Sequence, residues 1–258
     1  MMFPPLHREV RMPFELAELL RSDVFDGAGV PAGNGQPVML ICGLLTSDET
    51  LAVLAGWLKR CGYEPVRGGI LLNVDCSEQE MRRLERRLTQ AHAEHGQKVL
   101  IIGHSRGGLF GAALACRHPD KVAGLITLGT PHIDPLDSMH PLLGFQVRMM
   151  AVLGDLGLGR IMHNSCRDGE CCKPFWATLS GSFPDDVPFV SIFSRSDGVV
   201  RWRSCLHPEA EHVQVSASHC GMAAHRQTYE QIAEALGVML TRQHDHSGDA
   251  ATQLALAA

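Results

Sequence analysis

The stretch from Lys98 to His118 constrains the fold more than any other. Lys98 to Ile102 contains the apolar run Val99-Leu100-Ile101-Ile102 and reads as a buried strand. It breaks at Gly103-His104-Ser105-Arg106-Gly107-Gly108, and Arg106 to His118 then reads as a helix rich in small residues. Glycines at 103, 107 and 108 let the chain turn sharply and let helix and strand backbones approach closely. The rest of the chain repeats this alternation. Pro37 to Ile41, Tyr63 to Val66, Ala123 to Leu128, Pro188 to Phe193 and Val213 to Ser216 predict further strands. Between them apolar residues recur at helical spacing, as in Leu51, Leu54, Ala55 and Leu58, in Met81, Leu84, Leu88 and Ala91, and in Ile232, Leu236 and Leu240. This order predicts an α/β fold with a mostly parallel sheet flanked by helices on both faces. Ligands bind at the carboxyl ends of the strands in such sheets.

Local signals set the boundaries. Gly27 to Pro37 reads as a loop, Ser47 and Asp48 as helix N-caps, and Gly62 as a helix stop. Ser77-Glu78-Gln79-Glu80 has the form of a capping box. Residues 1–36 are expected to be an N-terminal extension, 37–240 the main domain and 241–258 a flexible tail, with 132–186 an irregular insert. The net charge of -5 and the 5% aromatic content argue against nucleic acid as the main partner. Arg82, Arg83, Arg86 and Arg87 alternate with Glu78, Glu80 and Glu85 and read as a solvated helix face. No run approaches the ~20 apolar residues that span a bilayer. Arg8, Glu9, Arg11, Glu15 and Glu18 interrupt the first thirty residues, so no secretory leader is visible and the expectation is a cytoplasmic protein.

A serine on a sharp strand-to-helix turn has its hydroxyl projected at the sheet edge, and the next backbone N–H is aimed at a substrate oxyanion. Ser105 is the candidate nucleophile and the Arg106 amide a candidate oxyanion donor. Serine needs a base, and the base needs an orienting acid. Asp197 follows a strand in Ser194-Arg195-Ser196-Asp197-Gly198, and His219 follows the last strand. The order Ser105, Asp197, His219 suits this arrangement. His225 is the runner-up base, with His207 and His212 ranked lower; Asp134 and Asp137 are runner-up acids. The second donor is expected after the first strand, in Cys42-Gly43-Leu44-Leu45-Thr46, from Leu44 or alternatively Leu45.

These residues resemble the α/β-hydrolase superfamily, in particular its lipase-like and esterase-like members. Gly103-His104-Ser105-Arg106-Gly107-Gly108 is similar to the Gly-His-Ser-x-Gly-Gly elbow of lipases. Gly129-Thr130-Pro131-His132 and Ser196-Asp197-Gly198-Val199-Val200 resemble segments that follow later strands in that superfamily. The chain departs from it in having Cys42-Gly43 where many members have His-Gly, and in Ile133-Asp134 after Pro-His. It also lacks a pair of leading strands before Pro37, which predicts a reduced sheet. The resemblance implies a lid over 132–186, between the sixth and seventh strands of the usual layout. Leu142, Leu143, Phe145, Met149 and Met150 are candidates to line an acyl pocket there, with Leu45 and His104 beside the substrate.

The function this implies is hydrolysis of small-molecule or lipid carboxylic esters, with no metal or organic cofactor. An acyltransferase or thioesterase uses the same groups, and a non-catalytic binding module keeps the same fold. Nine cysteines accompany this chemistry. Cys42, Cys61, Cys76 and Cys116 read as small core residues. Cys166, Cys171, Cys172 and Cys205 lie in polar turns, where free thiols are the default. With His163 and His207 they offer zinc ligands, but the paired C-x-x-C spacing is absent. A disulfide from Cys205 to Cys171 or Cys172 is the other reading.

Overall fold

The computed structural model describes residues 5–135, 137–157 and 161–256. In chain order its regular elements are α1 (Met12–Leu19), β1 (Pro37–Ile41), α2 (Ala52–Arg60), β2 (Glu64–Arg67), α3 (Ser77–His95), β3 (Val99–His104), α4 (Arg106–Arg117) and β4 (Val122–Leu128). Then come α5 (Pro141–Asp155), α6 (Ser165–Asp168), α7 (Lys173–Leu179), β5 (Phe189–Ser194), β6 (Glu211–Val215) and α8 (Arg226–Leu256). The strands form one sheet in the order β2-β1-β3-β4-β5-β6. Every neighbouring pair is parallel. Among the described residues no strand precedes β1, so the sheet is the reduced version that the sequence predicts.

Every residue of β1, β3, β4 and β5 is buried, as expected for parallel strands covered on both faces. The outer strand β2 has no fully buried residue. Helices α3, α4 and α7 pack together, while α8 packs on β4, β5 and β6. Trp57 of α2 lies 4.7 Å from the ring of Tyr229 of α8, both fully buried. The strand order reverses between β1 and β3, one strand continuing to β2 and the other to β4. The carboxyl ends of β1 and β3 therefore flank the topological switch point, where ligands bind in open sheets.

Several local expectations differ in detail. Cys76, not a residue within the run, is the N-cap of α3, so Ser77 lies one position inside the helix. Its hydroxyl accepts from the Arg106 guanidinium at 3.1 Å, and Glu80 binds Arg83 at 2.8 Å, so no capping box forms. Asp48 accepts the amides of Gly69 and Ile70 rather than capping α2. Residues 5–36 pack into the domain: Leu19 is fully buried, and Trp57 donates to the Val24 carbonyl at 2.8 Å. Residues 241–256 continue the last helix to Leu256. No helix among the described residues is long and apolar enough to cross a membrane.

Candidate active site

Ser105 sits at the end of β3, immediately before α4, with φ +52° and ψ -121°. That is a strained conformation for a residue with a side chain, and it persists only where its surroundings enforce it. The glycines do so. A Cβ on Gly107 would collide with the Ile41 carbonyl oxygen, and one on Gly103 would come within 2.5 Å of the Gly108 Cα. Strand β1 is thus pressed against the start of α4. The Ser105 amide donates to the Leu128 carbonyl at 2.8 Å, which pins the turn to β4.

The acid and the base meet from two later strands. Asp197 follows β5 and is 2% exposed. Its Oδ1 accepts the amides of Val199 at 2.8 Å and Val200 at 2.7 Å. That leaves Oδ2 for His219 Nδ1 at 2.6 Å. Burial disfavours the charged form of His219, but the charge and hydrogen bond of Asp197, and then the charge of Glu9, outweigh it and raise the pKa above the usual histidine value. The ring of His104 packs 5.0 Å from that of His219. His104 Nε2 lies 3.0 Å from the His219 carbonyl, to which it donates. Burial pushes the His104 pKa down to about 4, so the ring is neutral. His104 precedes Ser105, so this bond ties the loop of His219 to the strained turn. Among the described residues the Ser105 hydroxyl and His219 Nε2 make no hydrogen bond with each other.

Two glutamates from the N-terminal segment complete the support. Glu9 Oε1 accepts the amides of Gly198 and His219, each at 2.9 Å, and Oε2 accepts that of Cys220 at 2.9 Å. One carboxylate thereby bridges the turn of Asp197 and the loop of His219. Glu15 is 4% exposed and accepts the Ser218 amide at 2.9 Å and the Ser218 hydroxyl at 2.6 Å. Neither glutamate is apparent from spacing, because each reaches about 200 residues along the chain. The one available signal is a carboxylate on an otherwise apolar helix face, such as Glu15 beside Leu16 and Leu19.

The other candidates fall elsewhere. Asp134 and Asp137 are exposed, and neither bonds to His219. His225 is buried with an unpaired Nδ1, near Glu15 and Glu18 rather than Asp197. His207 packs on His132 and Phe189, and His212 donates to the His207 carbonyl. The Leu45 amide donates to the Asn73 carbonyl at 3.1 Å, whereas among the described residues the Leu44 amide has no partner. Arg106 begins α4, so its amide has no acceptor within the helix. Its guanidinium is turned away, bonding Asn73, the Asp75 carbonyl and Ser77.

An open cleft with a cavity volume of about 100 Å³ lies over Ser105. Leu44, Leu109, Pro131 and Val200 line it from the main domain, and Phe175 and Trp176 from α7. Helix α5 adds Leu143, Val147 and Ala151. These recur every four residues and share one helix face. Phe145 and Met149 lie on the opposite face, 59% and 46% exposed, so they do not line the cleft as the sequence suggests. Leu45 and His104 also lie outside it, the first because its amide is spent on Asn73, the second because its ring backs the His219 loop.

A parallel sheet with its serine turn at the switch point and helices on both faces defines the class: the chain has the α/β-hydrolase fold. Residues 69–155 match the family model described as alpha/beta hydrolase fold. The chain is similar in structure to a Bacillus licheniformis lipase in mature form, with TM-score 0.56 and 17% identity over 80% of this chain and 93% of that one. It is similar to a soluble variant of monoglyceride lipase from Saccharomyces cerevisiae in complex with a substrate analog, with TM-score 0.56 and 16% identity over 81% and 90%. It also matches a pyrethroid hydrolase, with TM-score 0.50 and 19% identity over 77% and 96%.

Proposed function

We propose that this chain is a serine hydrolase of carboxylic esters with apolar acyl groups. The observation that carries this reading is the strained Ser105 lining an apolar cleft, next in sequence to His104, whose ring packs 5.0 Å from that of His219 in the buried His219–Asp197 pair bonded at 2.6 Å. Ester binding brings the Ser105 hydroxyl into reach of His219 Nε2; such bonds are often long or unmade before substrate arrives. His219 removes the hydroxyl proton as Ser105 Oγ attacks the acyl carbon. Asp197 holds the imidazole in the required tautomer and stabilises the imidazolium. The amides of Leu44 and Arg106 receive the oxyanion, a contribution of ~10²-fold or more in rate for each donor. The imidazolium then protonates the departing alcohol, and water activated by His219 releases the acid.

The similar structures are those of lipases and a pyrethroid hydrolase, and those activities agree with this reading. The apolar side chains that line the cleft support an apolar acyl chain, and α5 also exposes Leu142, Phe145, Met149, Val152 and Leu153 to solvent. The test is a series of p-nitrophenyl esters from acetate to palmitate, with the wild-type chain and Ser105→Ala. Turnover that vanishes in Ser105→Ala supports the assignment. Turnover retained in the folded variant overturns it.

A further inference from the structure

Four cysteine sulfurs that this chemistry does not use meet at one point. Cys76 caps α3, Cys166 lies on α6, and Cys171 and Cys172 form the turn into α7. Their sulfur atoms all lie within 4.8 Å of one another. Cys76 to Cys172 is 3.4 Å, Cys166 to Cys171 is 3.7 Å, and Cys171 to Cys172 is 3.9 Å. A zinc ion bound by four thiolates at about 2.3 Å spaces them about 3.8 Å apart at the corners of a tetrahedron. A disulfide brings only two sulfurs together, at about 2.05 Å. We infer that Cys76, Cys166, Cys171 and Cys172 form a tetrahedral tetrathiolate site for one zinc ion.

The surroundings fit such a site. The His163 amide donates to the Cys166 sulfur at 3.3 Å, as amides do to zinc-bound thiolates. Cys76 stands at the N-terminus of the 19-residue α3, whose dipole favours negative charge there. Four thiolates and one zinc ion leave two excess negative charges. The Arg106 guanidinium lies beside them, bonded to the Asp75 carbonyl and the Ser77 hydroxyl on either side of Cys76. Cys76, Cys166 and Cys172 are buried under Met162 and Trp176, while Cys171 is exposed and offers a path for the ion. On binding, four thiols release four protons to solvent and four Zn–S bonds form; nothing is oxidised. With every position filled by sulfur, the ion has no open site for substrate and acts structurally.

The site also explains how the sequence conceals it. Three ligands come from Cys166-x4-Cys171-Cys172, and the fourth lies 90 residues earlier. Cys76 reads as a core residue by sequence, and Cys205 as its competitor. In the structure Cys205 is fully buried against Phe193 and Val200, away from the cluster. The zinc would fasten the segment before α7 to the start of α3. That segment forms one wall of the cleft through Met162, Asn164 and Cys166, so the ion would hold the wall in place.

The experiment is metal analysis of the full chain purified without chelator, with cobalt(II) titration of the reduced, metal-stripped protein. About one zinc per chain is expected, together with the charge-transfer and d–d bands of thiolate-bound tetrahedral cobalt. Cys171→Ser, at an exposed position, should reduce zinc retention at least tenfold, while Cys61→Ser should retain it. Cys76→Ser should behave like Cys171→Ser, and the cobalt spectrum decides the matter if it does not fold. Iron in place of zinc would overturn the assignment of the ion. A metal-free chain with no cobalt bands would overturn the site, either with nine reactive thiols or with an intact mass four hydrogens lighter from two disulfides.

Discussion

Replacing Glu9 by Gln should weaken the proposed catalysis from a position that touches no substrate. The carboxylate accepts three amides at 2.9 Å, two on Oε1 and one on Oε2. Glutamine can keep the first two on its carbonyl oxygen. Its NH2 group then faces the Cys220 amide, donor against donor. One lost charge-assisted hydrogen bond is worth about 1.5–3 kcal/mol, and Glu9 is only half-buried, which places the effect near the lower value. If that energy is spent holding the His219 loop against the Asp197 turn, kcat/KM falls ~10-fold. Glu9 also contributes a negative charge that raises the His219 pKa. The base must be neutral to work, so activity climbs as pH rises through that pKa. Removing the charge lowers the pKa, and the acid limb of the pH–rate profile moves to lower pH. The assay is kcat/KM against pH on a soluble p-nitrophenyl ester for wild type, Glu9→Gln and Glu9→Asp, with Tm measured alongside. An unmoved acid limb with a lowered Tm would reduce Glu9 to a purely structural tie. A limb that moves to higher pH would refute the electrostatic argument.

Three further outcomes follow from the same geometry. Asp197→Asn should lower kcat by about 10⁴-fold, while the exposed Asp134→Asn stays near wild type; the reverse order in steady-state rates would reassign the acid. Leu143→Ala and Val147→Ala should lose more activity on long acyl esters than on acetate, whereas Phe145→Ser should leave acetate hydrolysis unchanged, as read from a chain-length series. Gly107→Ala sets a methyl group against the Ile41 carbonyl, so it should yield little soluble protein or a Tm lowered by many degrees.

The four inner strands were legible because parallel strands buried on both faces read as continuous apolar runs, and the two more exposed edge strands also occur within a residue or two of their expected places. Ser105 was legible because a strained turn imposes glycine on its neighbours, and that requirement is local. Asp197 and His219 could be placed by chain order, since each follows a strand that ends on the same sheet edge. The cleft wall was not legible in the same way. The only polar side chains in the run from Leu142 to Leu153 are Gln146 and Arg148, two positions apart and so nearly opposite on a helix, and sequence gives no phase to say which face turns inward. Only the packing of α5 selects Leu143 and Val147 over Phe145 and Met149.

The contacts that hold the site together were the least legible, and for one physical reason. A carboxylate that satisfies backbone amides leaves no pattern at its partners, because every residue but proline carries an N–H. Glu9 and Glu15 bind Gly198, Ser218, His219 and Cys220 almost entirely through amides, so nothing about those four residue types announces the pairing. The clustered thiols pose the same difficulty in another form, since tetrahedral geometry constrains distance in space and not separation in sequence. Both supports act on segments that carry no regular strand. The glutamates tie the two turns bearing Asp197 and His219, and a zinc ion at the inferred cysteine site would fasten the segment before α7 that walls the cleft. A sheet positions Ser105 by its own backbone hydrogen bonds, but loops have none to spare. The parts of this site that the sheet cannot reach are therefore the parts that depend on long-range side-chain ties.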